Sequence, residues 1–453
     1  MLLKMPGKME AMECNNKIPG PGLFKFVRNI RRNPVLYCYE LMKQYGDVVK
    51  CPSVPNIYLI SNPLLAKEVF LNSQKLFDRN DFVNNRLRKV MGDGVVLTTG
   101  SKWKRQSQTA QLAFRKEDLQ RHTPEIITHT DAVVSKLATK ATENSICNIH
   151  EEMRRLVMKI MAGCLLQIDD EETLARLREK FVIGNEYVSK SSPFNLPAWV
   201  PGSFNKKMGN AIKYIDNVIL DILVNYHSTD KYKRTLLAYV IDQMDELGSP
   251  ITKEEILAEV KNIFISSYFS TSDFLAWLFY SLAKYPAWGD KIYCECKAFN
   301  NFTDPGVFES VLQSQLFIHE VLRCYPPGWS SIHHTHIDFS VGNYLIPKNS
   351  TIFVSIYNVH HHPDFWQHPD LFNPNRFHPS NLLKEKDAFI PFGKGPGKCI
   401  GMGLAQMVIN IVFAKMVLNF KFSADKNEVP EIQSRVSLGS KRDIKIRLHA
   451  LKF

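Results

Sequence analysis

The sequence predicts a mainly α fold with small β-sheets, and two observations support this. Apolar residues recur at three- and four-residue spacing through most of the chain, whereas runs with strand character are short and few. The 453 residues contain no serine- or glycine-rich linker. We therefore expect a single domain over residues 19–453, preceded by a mobile N-terminal arm over residues 1–18.

The elements of the first quarter of the chain are short. Pro19-Gly20-Pro21-Gly22 is a stiff turn that begins the ordered body. The patterns after it predict helices over 35–45, 63–71 and 100–114 and a hairpin of strands over 47–50 and 56–60. The mixed segment 77–96 is expected to be loop-rich and to form the wall or lid of a pocket.

The middle of the chain is helical and its last third is mixed. Helices are predicted over 123–141, 149–166, 171–188, 205–227 and 254–283. Strand character returns at 339–341, 344–346, 351–355 and 444–448. An apolar fraction of 45%, with 28 phenylalanines, is enough to enclose a sizeable ligand.

Charge and cysteine content narrow the class of protein. The net charge is +12, but the lysines are dispersed, which argues against nucleic acid and leaves room for an acidic redox partner. Nine cysteines without a paired framework favour a reducing compartment. The first residues contain no run of 18 apolar positions, so we expect a cytoplasmic, monomeric protein without a transmembrane anchor.

The most informative stretch is the glycine-dense loop from Phe392 to Gly401, which contains Cys399. Apolar residues at helical spacing follow from Leu404, so a helix is expected to begin at or just after Cys399 and to lower the pKa of its thiol. Glycines allow close approach of a flat ligand. For a lone cysteine, a buried structural thiol would be the simpler interpretation.

The spacing of this loop resembles the haem-binding loop of the cytochrome P450 family. The resemblance implies a cytochrome P450-like haem-thiolate fold in which Cys399 is the metal ligand of the haem iron. It also implies that Phe392 shields the sulfur and that Gly395 and Gly401 belong to the cofactor-binding loop.

A second part of the resemblance lies upstream of the loop. Glu320 and Arg323 lie three residues apart on a predicted helix and can pair, which alone indicates only a weak surface ion pair. Arg376 follows in Phe372-Asn373-Pro374-Asn375-Arg376-Phe377. In the resembled family these three residues would form a buried network beneath the haem loop.

The helix over 254–283 departs from the family pattern. Phe269 replaces the acid that relays protons to bound oxygen, and Ser270 replaces the alcohol. Ser270, helped by Thr271 or water, is then the obvious catalytic proton donor, unless both hydroxyls only bond back to their own helix. We expect Phe269→Asp to raise oxygen-dependent turnover if the missing acid limits it.

The positions expected to bind the haem propionates also depart. Ser107 and Gly397 stand where arginine is usual, which leaves Trp103 and His333 as the expected contacts, with Arg105 and Lys398 able to compensate. The adjacent histidines 360–362 suggest a second metal, but neighbouring residues of a strand or turn point apart, so structural histidines are favoured.

The resemblance implies a haem-thiolate oxidoreductase of the monooxygenase type. It would act on an apolar or amphipathic small molecule with electrons from a separate ferredoxin, flavodoxin or reductase. The departures leave two alternatives open. One is a haem-thiolate enzyme of peroxide-dependent oxidation, isomerisation or dehydration. The other is a non-catalytic binding protein with the same scaffold.

Overall fold

The computed structural model describes residues 17–143, 145–189, 203–226, 235, 237–238, 241, 252–298, 310–381, 386–424 and 429–451. Most of the predicted mobile arm, residues 1–16, lies outside the described residues. The helices are α1 (Leu23–Ile30), α2 (Pro34–Tyr45), α3 (Pro63–Asn72), α4 (Phe82–Met91), α5 (Gly100–Ala113), α6 (Lys116–Gln120), α7 (Thr123–Thr142), α8 (Ile149–Leu166), α9 (Glu171–Ser189), α10 (Phe204–Asn225), α11 (Lys253–Lys284), α12 (Pro286–Ala298), α13 (Leu312–Cys324), α14 (Ile356–His360) and α15 (Met402–Asn419).

The strands are few and short. They are β1 (Val48–Cys51), β2 (Ile57–Ile60), β3 (Phe77–Asp78), β4 (Ile146–Asn148), β5 (Ser330–Thr335), β6 (Phe339–Val341), β7 (Tyr344–Ile346), β8 (Ser350–Ser355), β9 (Phe420–Ser423), β10 (Ile432–Ser434), β11 (Leu438–Ser440) and β12 (Lys445–Ala450). The predicted mainly α fold with small sheets is confirmed.

The largest sheet has five strands in the order β1-β2-β8-β5-β3. Within it β2 and β8 are parallel, with Tyr58 opposite Ile352, and the other pairs are antiparallel. Strand β5, which occupies an interior position, was not predicted from the sequence. Its segment reads Ser-Ser-Ile-His-His-Thr, and the polar residues hide a strand whose inward side chains are nevertheless buried.

Helix boundaries follow capping chemistry. At the start of α11, the Thr252 side chain accepts from the Glu255 N–H at 3.1 Å and the Glu255 carboxylate accepts from the Thr252 N–H at 3.4 Å, which satisfies two otherwise free donors. Segment 77–96, expected to be loop-rich, contains α4. Asp81 caps this helix, and Gly92, at φ 77°, ends it.

The core is built around α11, which packs along α8 and against α15. Helix α15 is buried along residues that include Met407, Ile411 and Met416. By length and composition α15 is also the one helix of the described residues that could cross a membrane, a property that core helices of soluble proteins share.

Candidate active site

A partly open cavity of about 1120 Å³ lies between α4, α5, α9, α11, the β5 segment and the loop that precedes α15, and it extends to α1, α2, the β1–β2 hairpin and β10. Small-molecule pockets usually measure roughly 300–1,000 Å³, so this cavity is at least as large as the upper end of that range. Its wall includes Phe392, Cys399 and Gly401 from the glycine-dense loop and Ser270 and Thr271 from α11.

The cysteine loop is closed by its own backbone. The Cys399 N–H donates to the Phe392 carbonyl at 2.8 Å, and the chain between them turns through Gly393 at φ 72° and Gly395 at φ 68°. A Cβ atom on Gly395 would lie 2.8 Å from the Phe70 carbonyl oxygen, so this glycine lets the loop pack on the end of α3. Gly395 belongs to this loop but does not itself line the cavity.

The Cys399 sulfur is open to the cavity, although protein atoms surround it on its other sides. Desolvation by these atoms raises the pKa of the Cys399 thiol, and a backbone hydrogen bond from Gly401 and the charge of Lys398 lower it by less. The net rise corrects the expected lowering. Helix α15 begins three residues later, at Met402, and the terminal N–H groups do not overcome the loss of solvation.

The expected ion-pair network is assembled in the structure. Arg323 Nε and Nη2 donate to the two Glu320 carboxylate oxygens, each at 2.8 Å, and Arg376 Nε lies 3.1 Å from the same carboxylate. Glu320 and Arg323 are fully buried. The Asn373 N–H adds a fourth donor at 2.7 Å, so the buried charge is well solvated by the protein.

His360 joins this network to the cysteine loop. Its carbonyl accepts from Arg323 at 3.0 Å, and its ring nitrogen Nε2 accepts from the Ile390 N–H, two residues before Phe392, at 2.9 Å. Burial lowers the pKa of His360 to about 3, so the ring is neutral and can accept. His361 bonds to the Tyr357 carbonyl and His362 to Asp47, so the three histidines diverge and act structurally.

The hydroxyls of Ser270 and Thr271, two residues of α11, differ in their hydrogen bonding. Ser270 lines the cavity, but its hydroxyl donates to the Ser266 carbonyl at 2.6 Å. Thr271 is 2% exposed and also lines the cavity, and its hydroxyl has no hydrogen-bond partner among the described residues. Because buried hydroxyls are normally satisfied, Thr271 is the one of the two that is free to serve a ligand or water in the cavity.

Phe269 points away from the cavity. Its ring lies 6.3 Å from Phe181 and 4.9 Å from Tyr268 in a buried aromatic cluster, and neither Phe269 nor Tyr268 lines the cavity wall. Neither ring therefore helps to form the pocket wall. Asp273 is also turned away, because it accepts from Ser437 and lies 2.7 Å from His150 Nε2.

Of the two residues expected to contact the haem propionates, only one lines the cavity. Trp103 lines the cavity, but His333 does not, because its buried ring is wedged between Phe70 and Phe77. His333 reaches the wall only through its 3.0 Å contact with Ser331. Arg105 is engaged too, in a 2.7 Å ion pair with Glu255.

Sequence reasoning missed two polar residues of the wall, Gln74 and Arg79. The Arg79 guanidinium donates to the Ile332 carbonyl at 2.8 Å, yet its Nε and the Gln74 side-chain oxygen are buried without partners among the described residues. Arg79 directly follows β3, and a basic residue at the edge of a predicted pocket wall was the available signal. Such orphaned groups indicate a polar ligand.

A thiol that faces a large cavity, a glycine loop below it and a buried Glu–Arg–Arg network define a haem-thiolate site. The Cytochrome P450 family model matches residues 14–446, and the chain belongs to this family.

Individual relatives agree with this assignment. Pentalenene oxygenase of Streptomyces avermitilis is 23% identical over 422 residues, covering 92% of this chain and 93% of the relative. Cytokinin hydroxylase of Arabidopsis thaliana is 24% identical, covering 85% and 77%. Cyclooctat-9-en-7-ol 5-monooxygenase of Streptomyces melanosporofaciens is 25% identical, covering 86% and 85%.

The family and these relatives identify the protein as a cytochrome P450 monooxygenase with a haem-thiolate cofactor. When bound, such a haem supplies oxygen activation for oxidation of a small molecule. These matches favour an enzyme over the non-catalytic alternative.

Proposed function

We propose that the cavity of about 1120 Å³ holds the haem and its substrate together, with the Cys399 sulfur as the iron ligand. The observation that carries this proposal is the exposure of the Cys399 thiol to the cavity from a backbone-closed loop. The Gly401 N–H and Lys398 are suited to stabilise the sulfur once a cation has displaced its proton. Phe392 and Gly401 would contact the macrocycle beside it.

The carboxylates of the haem would be held by a set that differs from the family pattern. Arg79, Gln74, Trp103 and Lys398 all line the cavity and carry N–H donors, and the Arg79 Nε has no partner among the described residues. A guanidinium is a preferred partner of a carboxylate because its donors are fixed in a plane. Arg79 would thereby supply the charge that Ser107 and Gly397 lack.

The substrate would be an apolar or amphipathic small molecule. Val95, Val96, Val182 and Phe274 line the cavity, and Asn185 and Asn262 are among its polar residues. Residues 190–202 lie outside the described residues. Thr271 would hold water or move a proton at its hydroxyl in this cavity, since that group has no protein partner.

Electrons would come from a separate ferredoxin, flavodoxin or reductase, and the basic charge of +12 suits an acidic partner. We also propose a single domain over residues 19–453 that acts as a cytoplasmic monomer. In support of the cytoplasmic location, each of the eight cysteines in the described part of the chain is free, as expected in a reducing compartment.

The absorption spectrum of the reduced, carbon monoxide-treated protein tests the iron ligand. We expect a red-shifted thiolate band in the wild type and its loss in Cys399→Ser. Cys51→Ala is the matched control, since Cys51 also lines the cavity but belongs to β1. An unchanged band in Cys399→Ser, or a colourless wild type with haem in excess, would reject the proposal.

A second candidate is a peroxide-dependent oxidation by the same site. It is favoured by one observation: α11, which is fully described, presents hydroxyl, amide and apolar side chains to the cavity but no carboxylate. Peroxide already carries the protons and electrons that oxygen must acquire. Turnover of an apolar probe substrate with hydrogen peroxide, and none with oxygen and a surrogate reductase, would favour this candidate.

A further inference from the structure

A second cluster of metal-ligating side chains lies between α7 and α8. It consists of His122 and Glu125 at the start of α7 and Cys164 near the end of α8. One ligating atom of each residue lies within 4.8 Å of those of the other two. None of the three lines the cavity, so the cluster is separate from the active site.

Two distances converge on a single carboxylate oxygen. Glu125 Oε2 lies 3.9 Å from His122 Nδ1 and 3.8 Å from the Cys164 sulfur. These separations are too long for strong hydrogen bonds, but they are of the order expected between neighbouring ligands of a tetrahedral ion with bonds of about 2.0–2.3 Å. The three groups thus lie close enough together to bind one ion.

The backbone holds the carboxylate in this position. A Cβ atom on Gly163 would lie 1.9 Å from Glu125 Oε1, so only glycine leaves space for Glu125 beside α8. His129, one turn further along α7, lies 3.7 Å from the same Oε1. Its ring can orient the carboxylate from outside, as partners of metal-ligating carboxylates commonly do.

Burial and access suit a bound ion. His122 is 6% exposed and Cys164 is fully buried, which removes water from two of the ligands. The side chains of Glu125 and His129 each remain 28% exposed and leave an open approach from solvent. Imidazole, carboxylate and thiolate together are a donor set for a borderline-soft divalent ion.

We propose that His122 Nδ1, Glu125 Oε2 and the Cys164 sulfur form a site for a Zn²⁺-class divalent ion, with His129 as the outer partner of Glu125. Three protein ligands leave a fourth tetrahedral position for water. Binding forms the metal–thiolate bond and releases the Cys164 thiol proton to solvent. The ion would bridge α7 and α8.

Equilibrium dialysis of the full-length, haem-supplemented protein against Zn²⁺, followed by elemental analysis, tests the site. We expect about one Zn²⁺ per chain in the wild type. Co²⁺ in place of Zn²⁺ should give a sulfur-to-metal charge-transfer band. Neither readout needs turnover or a bound haem, so failure of the proposed monooxygenase function leaves this test intact.

Gly163→Ala is the sharpest variant, because it removes no ligand. Alanine suits a helix, and the added methyl group displaces only the end of the Glu125 side chain. We expect a folded protein that has lost the stoichiometric ion. Glu125→Gln and Cys164→Ser should lose it too, and His129→Ala should weaken Zn²⁺ affinity about 10–100-fold.

Cys147→Ser is the matched control, since Cys147 is a buried free thiol on β4 that lies outside the cluster. It should keep both the Zn²⁺ and the Co²⁺ band. The proposal is overturned if the wild type binds no Zn²⁺, or if folded Gly163→Ala and Glu125→Gln bind it as the wild type does. If Cys164→Ser does not fold, absence of the Co²⁺ band from the wild type still overturns sulfur ligation.

Discussion

Two parts of the cavity wall differ in how closely they follow the family pattern. The loop around Cys399 is fastened from behind by Glu320, Arg323 and His360, through hydrogen bonds of 2.8–3.0 Å. The wall formed by α11 lacks the expected acid, and the Ser270 hydroxyl donates to the Ser266 carbonyl of its own helix at 2.6 Å. The buried polar atoms that hold the loop all have hydrogen-bond partners. The α11 wall, in contrast, retains a group without a partner among the described residues, the Thr271 hydroxyl.

The difference distinguishes residues that hold the fold together from residues that act on a bound ligand. A buried carboxylate tolerates little change, because loss of one partner leaves a charge unpaired. A helix face that lines a cavity is constrained less, since ligand or water can satisfy its polar groups. Departures from the family pattern should therefore be tolerated at α11 and costly beneath the loop.

The largest effect is expected at Phe269. Phe269→Asp would place a carboxylate in the cluster with Phe181 and Tyr268 rather than in the cavity. Loss of the ring together with burial of a charge should lower the free energy of unfolding by more than about 5 kcal/mol. This reverses the expected gain in oxygen-dependent turnover. Urea denaturation checks it, with Phe269→Leu as control; a stable, more active Phe269→Asp would show that the ring faces the cavity.

Next in size is the buried network. Glu320→Gln leaves Arg323 and Arg376 without a counter-charge, and we expect a loss of roughly 3–5 kcal/mol in the free energy of unfolding. Asp290→Asn is the control, because Asp290 pairs with Lys421 on the surface and its loss should cost less than about 1 kcal/mol. Equal losses in the two variants would mean that the network does not fasten the loop.

The variants Thr271→Val and Ser270→Ala test which of the two α11 hydroxyls handles the proton. Thr271→Val removes the unpartnered hydroxyl and should lower oxygen-dependent turnover of an apolar probe by about 10²-fold. It should also raise the stability of the haem-free protein by about 1 kcal/mol. Ser270→Ala should change turnover only a few-fold, and peroxide-driven turnover is the internal control. The opposite ranking would assign the proton-handling role to Ser270.

The smallest effect is the pH dependence of stability that His360 contributes. Its pKa falls from an ordinary 6.5 to about 3 on folding, so between these values the unfolded chain binds more protons. The stability that His360 contributes is therefore fully present above about pH 6.5. It declines as the pH falls, by about 1–2 kcal/mol between pH 6.5 and 5. His360→Gln should flatten this slope in urea titrations at several pH values. An unchanged slope would mean that His360 is already charged in the folded protein.

Most helices could be predicted because their apolar residues repeat at helical spacing. Helix α11 was predicted over 254–283 and runs over Lys253–Lys284. Strand β5 was missed because its polar residues hide the strand pattern and its neighbour β3 is remote in sequence, so only pairing with β3 and β8 makes it a strand. Arg79 and Gln74 were missed for a similar reason, since cavity walls are assembled from distant segments.

Spacing along the chain was enough to predict the helical fold, the cysteine loop and the acid and arginines of the network. Tertiary structure decided which side chains meet the cavity. Helix packing directed Thr271 toward the cavity and Phe269 away from it, and it placed His333 behind the cavity wall. It also brought Cys164 close to His122 and Glu125. Packing between helices sets the rotation of each helix about its axis, and local sequence does not determine that rotation.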